Sequence, residues 1–198
     1  MIDEKRLALI KKRLKNYPAF EFLAKGKRGE VYKLSRDLVA KIERDDISAK
    51  DTAKNEYEIL KKLEKYPYFP KPEFYDKDLR FLVREYVKGE NIDKTLDKAI
   101  FFEVLKLARA LDIEMINQQE LTNPYKHIFF FKKKVMMIDF EKARISKKPK
   151  NVTQFSQYIF ARFKINPKLI EVKLRKYKKS NSGKDFETII KVLKELMQ

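Results

Sequence analysis

Apolar residues recur at Leu7, Ile10 and Leu14 across residues 3–15, with basic residues between them, and Pro18 follows. That spacing is one face of an amphipathic helix that the proline ends. The period then shortens. Residues 20–23, 31–34 and 38–42 are brief apolar runs parted by turn residues, which predicts three strands of an antiparallel sheet. Residues 50–65 return to the helical period, with Ala53, Tyr57, Leu60 and Leu63 on one stripe, and Pro67, Pro70 and Pro72 close the segment. Two more strands are expected at 74–75 and 81–87, followed by Lys88, Gly89 and Glu90 as a connector.

Beyond the connector, residues 93–116 form a long helical tract through Leu96, Ile100, Val104, Leu107 and Leu111. Residues 117–126 are polar, contain Pro124, and are expected to make a loop at the mouth of a cleft. Residues 128–131 and 135–138 predict a hairpin around a basic turn at 132–134, and 152–163, 167–177 and 184–197 predict closing helices. Ser180, Asn181, Ser182 and Gly183 separate the last two. The order predicts an α+β fold of two lobes. Residues 1–87 make a small lobe of antiparallel sheet and helices, and residues 88–198 make a mostly helical one. No internal repeat is visible, and the Ile/Leu heptads are too short for a coiled coil.

Composition narrows the class. A chain of 198 residues with 43% hydrophobic content can bury a core, and the absence of cysteine removes disulfides, thiolate zinc sites and cysteine nucleophiles together. No apolar run approaches the roughly 20 residues that span a bilayer, and residues 1–16 are charged throughout, so the cytoplasm is the expected location. Charged residues reach 38%, with Lys, Glu and Ile prominent and only 4 Gly, a balance that points to a heat-adapted source. The net charge of +18 points to a polyanionic partner. Its placement says more than its size: residues 142–198 hold 16 Lys or Arg against 4 Asp or Glu, or +12 of the total. Lys147, Lys148 and Lys150, together with Lys173, Arg175, Lys176, Lys178 and Lys179, exceed what solubility requires, although a solvated surface is the alternative reading. Phe155, Tyr158, Phe160, Phe163 and Tyr177 interleave with them. These rings either stack on bases or, as expected for Phe155, Phe160 and Phe163, form the buried face of a helix.

The candidate chemistry runs in order along the chain. Residues 24–31 fit GxGxxGxV with Ala24 in place of the first glycine, so Gly26, Gly29 and Val31 can cover phosphates or simply turn a hairpin. Lys41 follows as a single cation in an apolar strand, able to reach phosphates if something holds it charged and aimed. Glu56, on the next helix, is its expected ion-pair partner. Far downstream, residues 136–143 read MMIDFEKA, an apolar strand that ends in Asp139 and Phe140. A carboxylate there is placed to coordinate magnesium bridging the phosphates.

Taken together, these segments resemble the protein-kinase superfamily, with residues 55–60 similar to its regulatory helix and residues 81–87 to its hinge. The resemblance implies that ATP and Mg2+ are bound, that the backbones of Glu85 and Val87 bond the adenine edge, and that Arg84 occupies the gatekeeper position, where an apolar residue is usual. Where most members carry HRDLxxxxN, this chain has QQELTNPYKHI over residues 118–128, so Glu120 stands in for the catalytic aspartate. A glutamate can accept or orient a hydroxyl proton as an aspartate does. The second metal ligand is Asn123, or His127 if the loop is longer; His127 otherwise reads as a hydrogen-bonded structural residue. Glu141 replaces the glycine of the DFG motif.

Only about a dozen residues separate Asp139 from the helix expected at Val152, and no APE sequence follows, so the usual peptide platform is missing. The compact layout resembles the RIO and KEOPS-associated kinases. The segments ELTNPYKHI, IDFEKA and KPKNVTQ resemble most the small archaeal RNA kinases once catalogued as Ser/Thr protein kinases. That likeness implies phosphorylation of a tRNA ribose 2′-hydroxyl at a variable-loop uridine, with Lys41, Glu120 and Asp139 catalytic, and the charge of the basic clusters independently places them on the RNA backbone. A protein Ser/Thr kinase and an RNA-binding pseudokinase are the alternatives.

Overall fold

In the computed structural model, which describes residues 2–198 and so leaves Met1 of the first expected lobe outside the described residues, the chain divides into two units. One is Met1–Val87 with Ile138–Lys142, and the other is Lys88–Met137 with Ala143–Gln198. The first unit runs α1 (Glu4–Arg13), β1 (Glu21–Lys25), β2 (Gly29–Lys33), β3 (Leu38–Glu43), α2 (Thr52–Leu63), β4 (Pro72–Asp76) and β5 (Phe81–Glu85). The strands form one antiparallel sheet in the order β1-β2-β3-β5-β4.

The central strand β3 is covered on both faces, which is why it reads as a continuous apolar run rather than an alternating one. Ala40 and Ile42 enter a core with Ile10 of α1, Leu14 at its C-terminal cap, Tyr32, Leu34, Phe81 and Val83. Each large apolar side chain fully buried there stabilises the fold by about 1.5–3 kcal/mol. Two-residue periodicity sends Lys41 and Glu43 to the opposite face, where α2 lies. The buried Glu43 carboxylate accepts the backbone N–H of Thr52 at 2.8 Å and of Ala53 at 3.3 Å, and the Thr52 hydroxyl at 3.2 Å. This supplies a cap that Asp51, at the helix start, does not make with its own side chain. Glu43→Ala is expected to cost about 0.5–2 kcal/mol by loss of that cap, read as a lower denaturant midpoint. An unchanged midpoint would show that α2 needs no tie to β3.

Ile138–Lys142 belongs with the first unit for a visible reason. The Asn55 side chain of α2 donates to the carbonyls of Phe140 at 3.1 Å and Glu141 at 3.3 Å. The buried Phe140 ring meets Phe69 edge-on, with centroids 5.6 Å apart. A contiguous division at residue 87 leaves this strap with the helical unit, because sequence order cannot show tertiary packing.

The second unit comprises β6 (Glu90–Asn91), α3 (Lys98–Ile113), β7 (Ile116–Asn117), β8 (Ile128–Phe131), β9 (Lys134–Met137), β10 (Arg144–Ile145), α4 (Asn151–Phe163), α5 (Glu171–Ser180) and α6 (Gly183–Leu196). A three-stranded sheet is ordered β6-β8-β9, and β10 pairs with β7. Gly89 has φ 138°, and a Cβ there would sit 2.4 Å from the Phe130 carbonyl oxygen, so the connector requires glycine.

Two expected helices are shorter than their periodicity suggested. The tract over 93–116 begins only at Lys98, because the Asp97 carboxylate caps Ala99 N–H at 2.9 Å, and Leu96 stands outside the helix at 61% exposure. The tract over 167–177 opens as a separate turn, Pro167–Leu169, before α5 begins. Of the aromatics of the basic region, Phe155, Phe160 and Tyr177 are core, and Tyr158 and Phe163 are half-buried against it. Phe155 stacks on Phe101 at 6.2 Å, Phe163 meets the same ring edge-on at 4.8 Å, and Tyr158 stacks on both Phe101 and Phe155. Tyr177, only 2% exposed, is also buried, so Phe155, Phe160 and Tyr177 are closed to base stacking. Among the described residues, no helix is long and apolar enough to cross a membrane.

Candidate active site

The register of the first sheet sets Lys41 beside Val31 of β2 and Leu82 of β5, with its side chain directed to α2. Its Nζ lies 2.6 Å from Glu56 Oε2, 2.8 Å from Asp139 Oδ1 and 3.0 Å from Glu141 Oε2. Burial pulls the Lys41 pKa down, but the charges of Glu56, Asp139 and Glu141 outweigh it and hold the ammonium well above the ordinary lysine value. Lys41 is therefore a fixed cation.

Glu56 is fully buried and faces a second cation: Arg84 Nε donates to its other oxygen at 3.2 Å. Arg84 is itself buried, and its Nη1 donates to the Glu85 carbonyl at 2.9 Å. At the gatekeeper position this chain thus holds an arginine turned onto the helix glutamate. Burial raises the Glu141 pKa, against the opposing pull of Lys41, and Arg28 lies 3.7 Å from its carboxylate. The sequence places Arg84 at the gatekeeper and Glu141 in the DFG motif, but not their contacts with Glu56 and Lys41, nor the hold of Asn55 on residues 140–141. The available signals were a lone arginine in an apolar strand and a carboxylate two positions after Asp139.

Asp139 lies two residues past β9 in a left-handed conformation, φ 71°. Aspartate is among the few residues that adopt it without severe cost. Its side chain is 30% exposed, against 8% for Glu141 and none for Glu56. A metal fits this arrangement in one form only. Among the described residues no group of three His, Cys, Asp or Glu makes a complete cage. Mg2+, however, is commonly held by one or two carboxylates with substrate phosphates and water supplying the remaining oxygens. Asp139, with Glu141 next to it on Lys41, offers the hard oxygen donors such a shared ion needs.

Of the other predicted positions of this unit, Gly29 and Val31 lie against Lys41. Gly26 N–H donates to the Gly29 carbonyl at 2.8 Å and closes the β1–β2 hairpin. A Cβ on Gly29 would lie 3.0 Å from the Ile42 carbonyl and 3.5 Å from the Lys41 side chain, so bare backbone is needed over the lysine. Val31 is half-buried opposite Lys41. Glu85 N–H is donated to the Lys71 carbonyl at 2.9 Å, and Val87 is buried at the end of the unit.

In the second unit, Glu120 follows Gln119, which is left-handed at φ 77°. Its backbone is held from beneath. Glu120 N–H donates to Gln118 Oε1 at 2.8 Å, and Gln118 N–H donates to Asn151 Oδ1 at 3.0 Å. The buried Asn151 amide donates to Asp112 Oδ1 at 2.7 Å and to the Ile116 carbonyl at 2.6 Å. Asp112 also accepts the Tyr177 hydroxyl at 2.8 Å. Burial raises the Asp112 pKa despite these donors, and burial with the Asp112 charge raises that of Tyr177. His127 Nε2 lies 3.5 Å from Glu120 Oε2. Asn123 is exposed, and its N–H donates to the Glu120 carbonyl at 3.0 Å.

The basic residues separate into two groups. Lys147, Lys148, Arg175, Lys178 and Lys179 line one cavity of about 560 Å3 with Pro149, Tyr177 and Asn181, and no carboxylate lines it. Arg175, Lys178 and Lys179 share a helix face at i, i+3 and i+4. Lys150, Lys173 and Lys176 do not line it; Lys176 is paired with Asp185 at 3.1 Å, and Arg175, which does line it, with Glu171 at 2.6 Å.

An antiparallel sheet unit carrying a lysine–helix glutamate pair, followed by a helical unit, is a protein-kinase-like fold. Solved structures share it. The streptomycin–ATP–APH(2″)-IIa ternary complex is similar with a TM-score of 0.58 and 12% identity, covering 87% of this chain and 86% of that one. ADP-bound aminoglycoside phosphotransferase APH(2″)-Ib is similar with a TM-score of 0.54 and 15% identity, covering 100% and 97%. No family model matches the sequence, and no curated protein matches it.

Proposed function

We propose that this chain is an ATP-dependent phosphotransferase acting on RNA, with a tRNA ribose 2′-hydroxyl as acceptor. The observation that carries the transferase part is Lys41, held charged between Glu56 and Asp139. The similar solved structures contain ATP or ADP, which supports the same nucleotide here. In this reading Lys41 binds the phosphates, Asp139 with Glu141 holds Mg2+, and Glu120 accepts the acceptor's proton. Bound there, Mg2+ neutralises charge developing on the phosphates.

The choice of acceptor rests on charge. The APH(2″) proteins are aminoglycoside phosphotransferases, and aminoglycosides are polycations. The +12 carried by residues 142–198 repels such substrates and attracts phosphate backbones. A cavity lined by five cations and no carboxylate supports an RNA acceptor.

Incubation with γ-labelled ATP and total tRNA is expected to label the tRNA, with nuclease digestion and mass spectrometry placing the phosphate on a ribose 2′-oxygen. Lys147→Glu with Lys178→Glu is expected to weaken tRNA binding and to lower the slope of log K against log salt by about 2, one per lost phosphate contact. Label on protein and never on RNA would establish the protein-kinase alternative, and nucleotide binding with no transfer to any acceptor the pseudokinase.

A further inference from the structure

Resting on the reading of Glu120 as the base, we infer that His127 is the residue that aims it, a positioning residue rather than a metal ligand. The loop between them is built to bring the two together. Pro124–Lys126 forms a single tight turn, His127 closes it by donating its N–H to the Pro124 carbonyl at 2.9 Å, and β8 begins at the buried Ile128. The turn folds the chain back so that residues seven apart meet, with His127 Nε2 3.5 Å from Glu120 Oε2. The imidazole is 13% exposed and the carboxylate 29%, so the histidine is fixed in the unit's wall and the glutamate reaches out from it.

A glutamate at this position needs such a partner. It carries one more rotatable bond than aspartate, and an error near 1 Å in placing a reacting group can cost about a hundredfold in rate. The loop backbone cannot supply the aim by itself. The chain from Asp112 through Asn151 and Gln118 ends at the Glu120 N–H and fixes only where the side chain starts. His127 fixes where it finishes. An imidazole that carries hydrogen on Nε2 can donate across this contact to one carboxylate oxygen and leaves the other to take a proton.

The step then balances. The acceptor O–H bond breaks with its proton passing to Glu120, the oxygen forms a bond to the terminal phosphorus, and the bridging P–O bond breaks with its electron pair leaving on ADP. His127 neither gains nor loses a proton.

The choice of substitution tests this, because glutamine places an amide nitrogen close to the position of Nε2, whereas asparagine places one near Nδ1. In full-length enzyme assayed with γ-labelled ATP and total tRNA, His127→Gln is expected to keep kcat within about threefold. His127→Asn and His127→Ala should lose about 10- to 100-fold in kcat, with the KM for ATP, the Mg2+ concentration for half-maximal rate and the melting temperature unchanged.

A rise in the Mg2+ requirement of His127→Ala would overturn the inference in favour of a metal ligand. A glutamine variant as impaired as the alanine one, or an alanine variant with full kcat, would overturn it outright. Glu120→Gln separates the two layers: full kcat in that variant removes the base reading itself, and His127 then has nothing to aim. A parent enzyme inert toward every acceptor overturns the proposed function, and this inference with it.

Discussion

Asp139→Asn is expected to reduce phosphate transfer by at least about a hundredfold, to the background of the assay, with little change in melting temperature. The magnitude is that of removing one preorganised charge from a transition state. Of the three carboxylates on Lys41, Asp139 is the one whose side chain reaches the surface, at 30% exposure. In the proposed reading it is thus the one that shares a metal with the bound nucleotide. Asparagine keeps the volume and can still accept the Lys41 hydrogen bond now 2.8 Å long, so the strap through Phe140 should stay in place. Transfer of label from γ-labelled ATP, alongside a melt followed by circular dichroism, measures both. Activity within threefold of the parent would pass the metal-binding role to Glu141.

Glu56→Ala should do the reverse damage, with stability lost before chemistry is considered. The Glu56 carboxylate is the buried point where two cations meet, Lys41 at 2.6 Å and Arg84 at 3.2 Å. Removing one partner of a buried ion pair commonly costs about 3–5 kcal/mol, which for a chain of this length lowers the melting temperature by roughly 6–20 °C. Glu56→Met with Arg84→Met should recover part of that loss, since the second arginine charge is then removed and its volume kept. Lys41 gives the effect a pH signature. Its folded pKa is raised, so its contribution is fully present below the unfolded lysine value near 10.4 and is lost only as pH climbs through the folded value. The gap between parent and Glu56→Ala should therefore be the same at pH 7 and pH 9. A gap that closes by pH 9, or a double variant no more stable than Glu56→Ala, would show that the buried charges are not what holds α2 to the sheet.

How much of this was legible in the chain differs from residue to residue. The Lys41–Glu56 pair could be named from a lone cation in an apolar strand and a carboxylate 15 residues on, because strand and helix periods fix which face each side chain takes. Arg84 carried the same kind of signal and was assigned to the gatekeeper position alone, since nothing local says that its guanidinium turns toward α2. Leu96 fits the helical stripe of its neighbours yet lies outside α3, because the hydrogen bond from Ala99 N–H to Asp97 starts the helix later. The eight basic residues were legible as a cluster of charge. Which five of them line one cavity depends on the packing of α5 beside residues 147–149.

The linear sequence determined the type and order of the main elements, the excess of positive charge beyond residue 142 and the candidate residues for the proposed phosphate transfer. These follow from short-range periodicity and composition, which need no knowledge of the fold. Tertiary structure alone decided that Ile138–Lys142 joins the sheet unit, that Glu56 serves two cations, that Glu141 is a third carboxylate on Lys41 and that His127 meets Glu120. Each is a contact between side chains distant along the chain or reversed by a turn, and its energy depends on burial that no local pattern records.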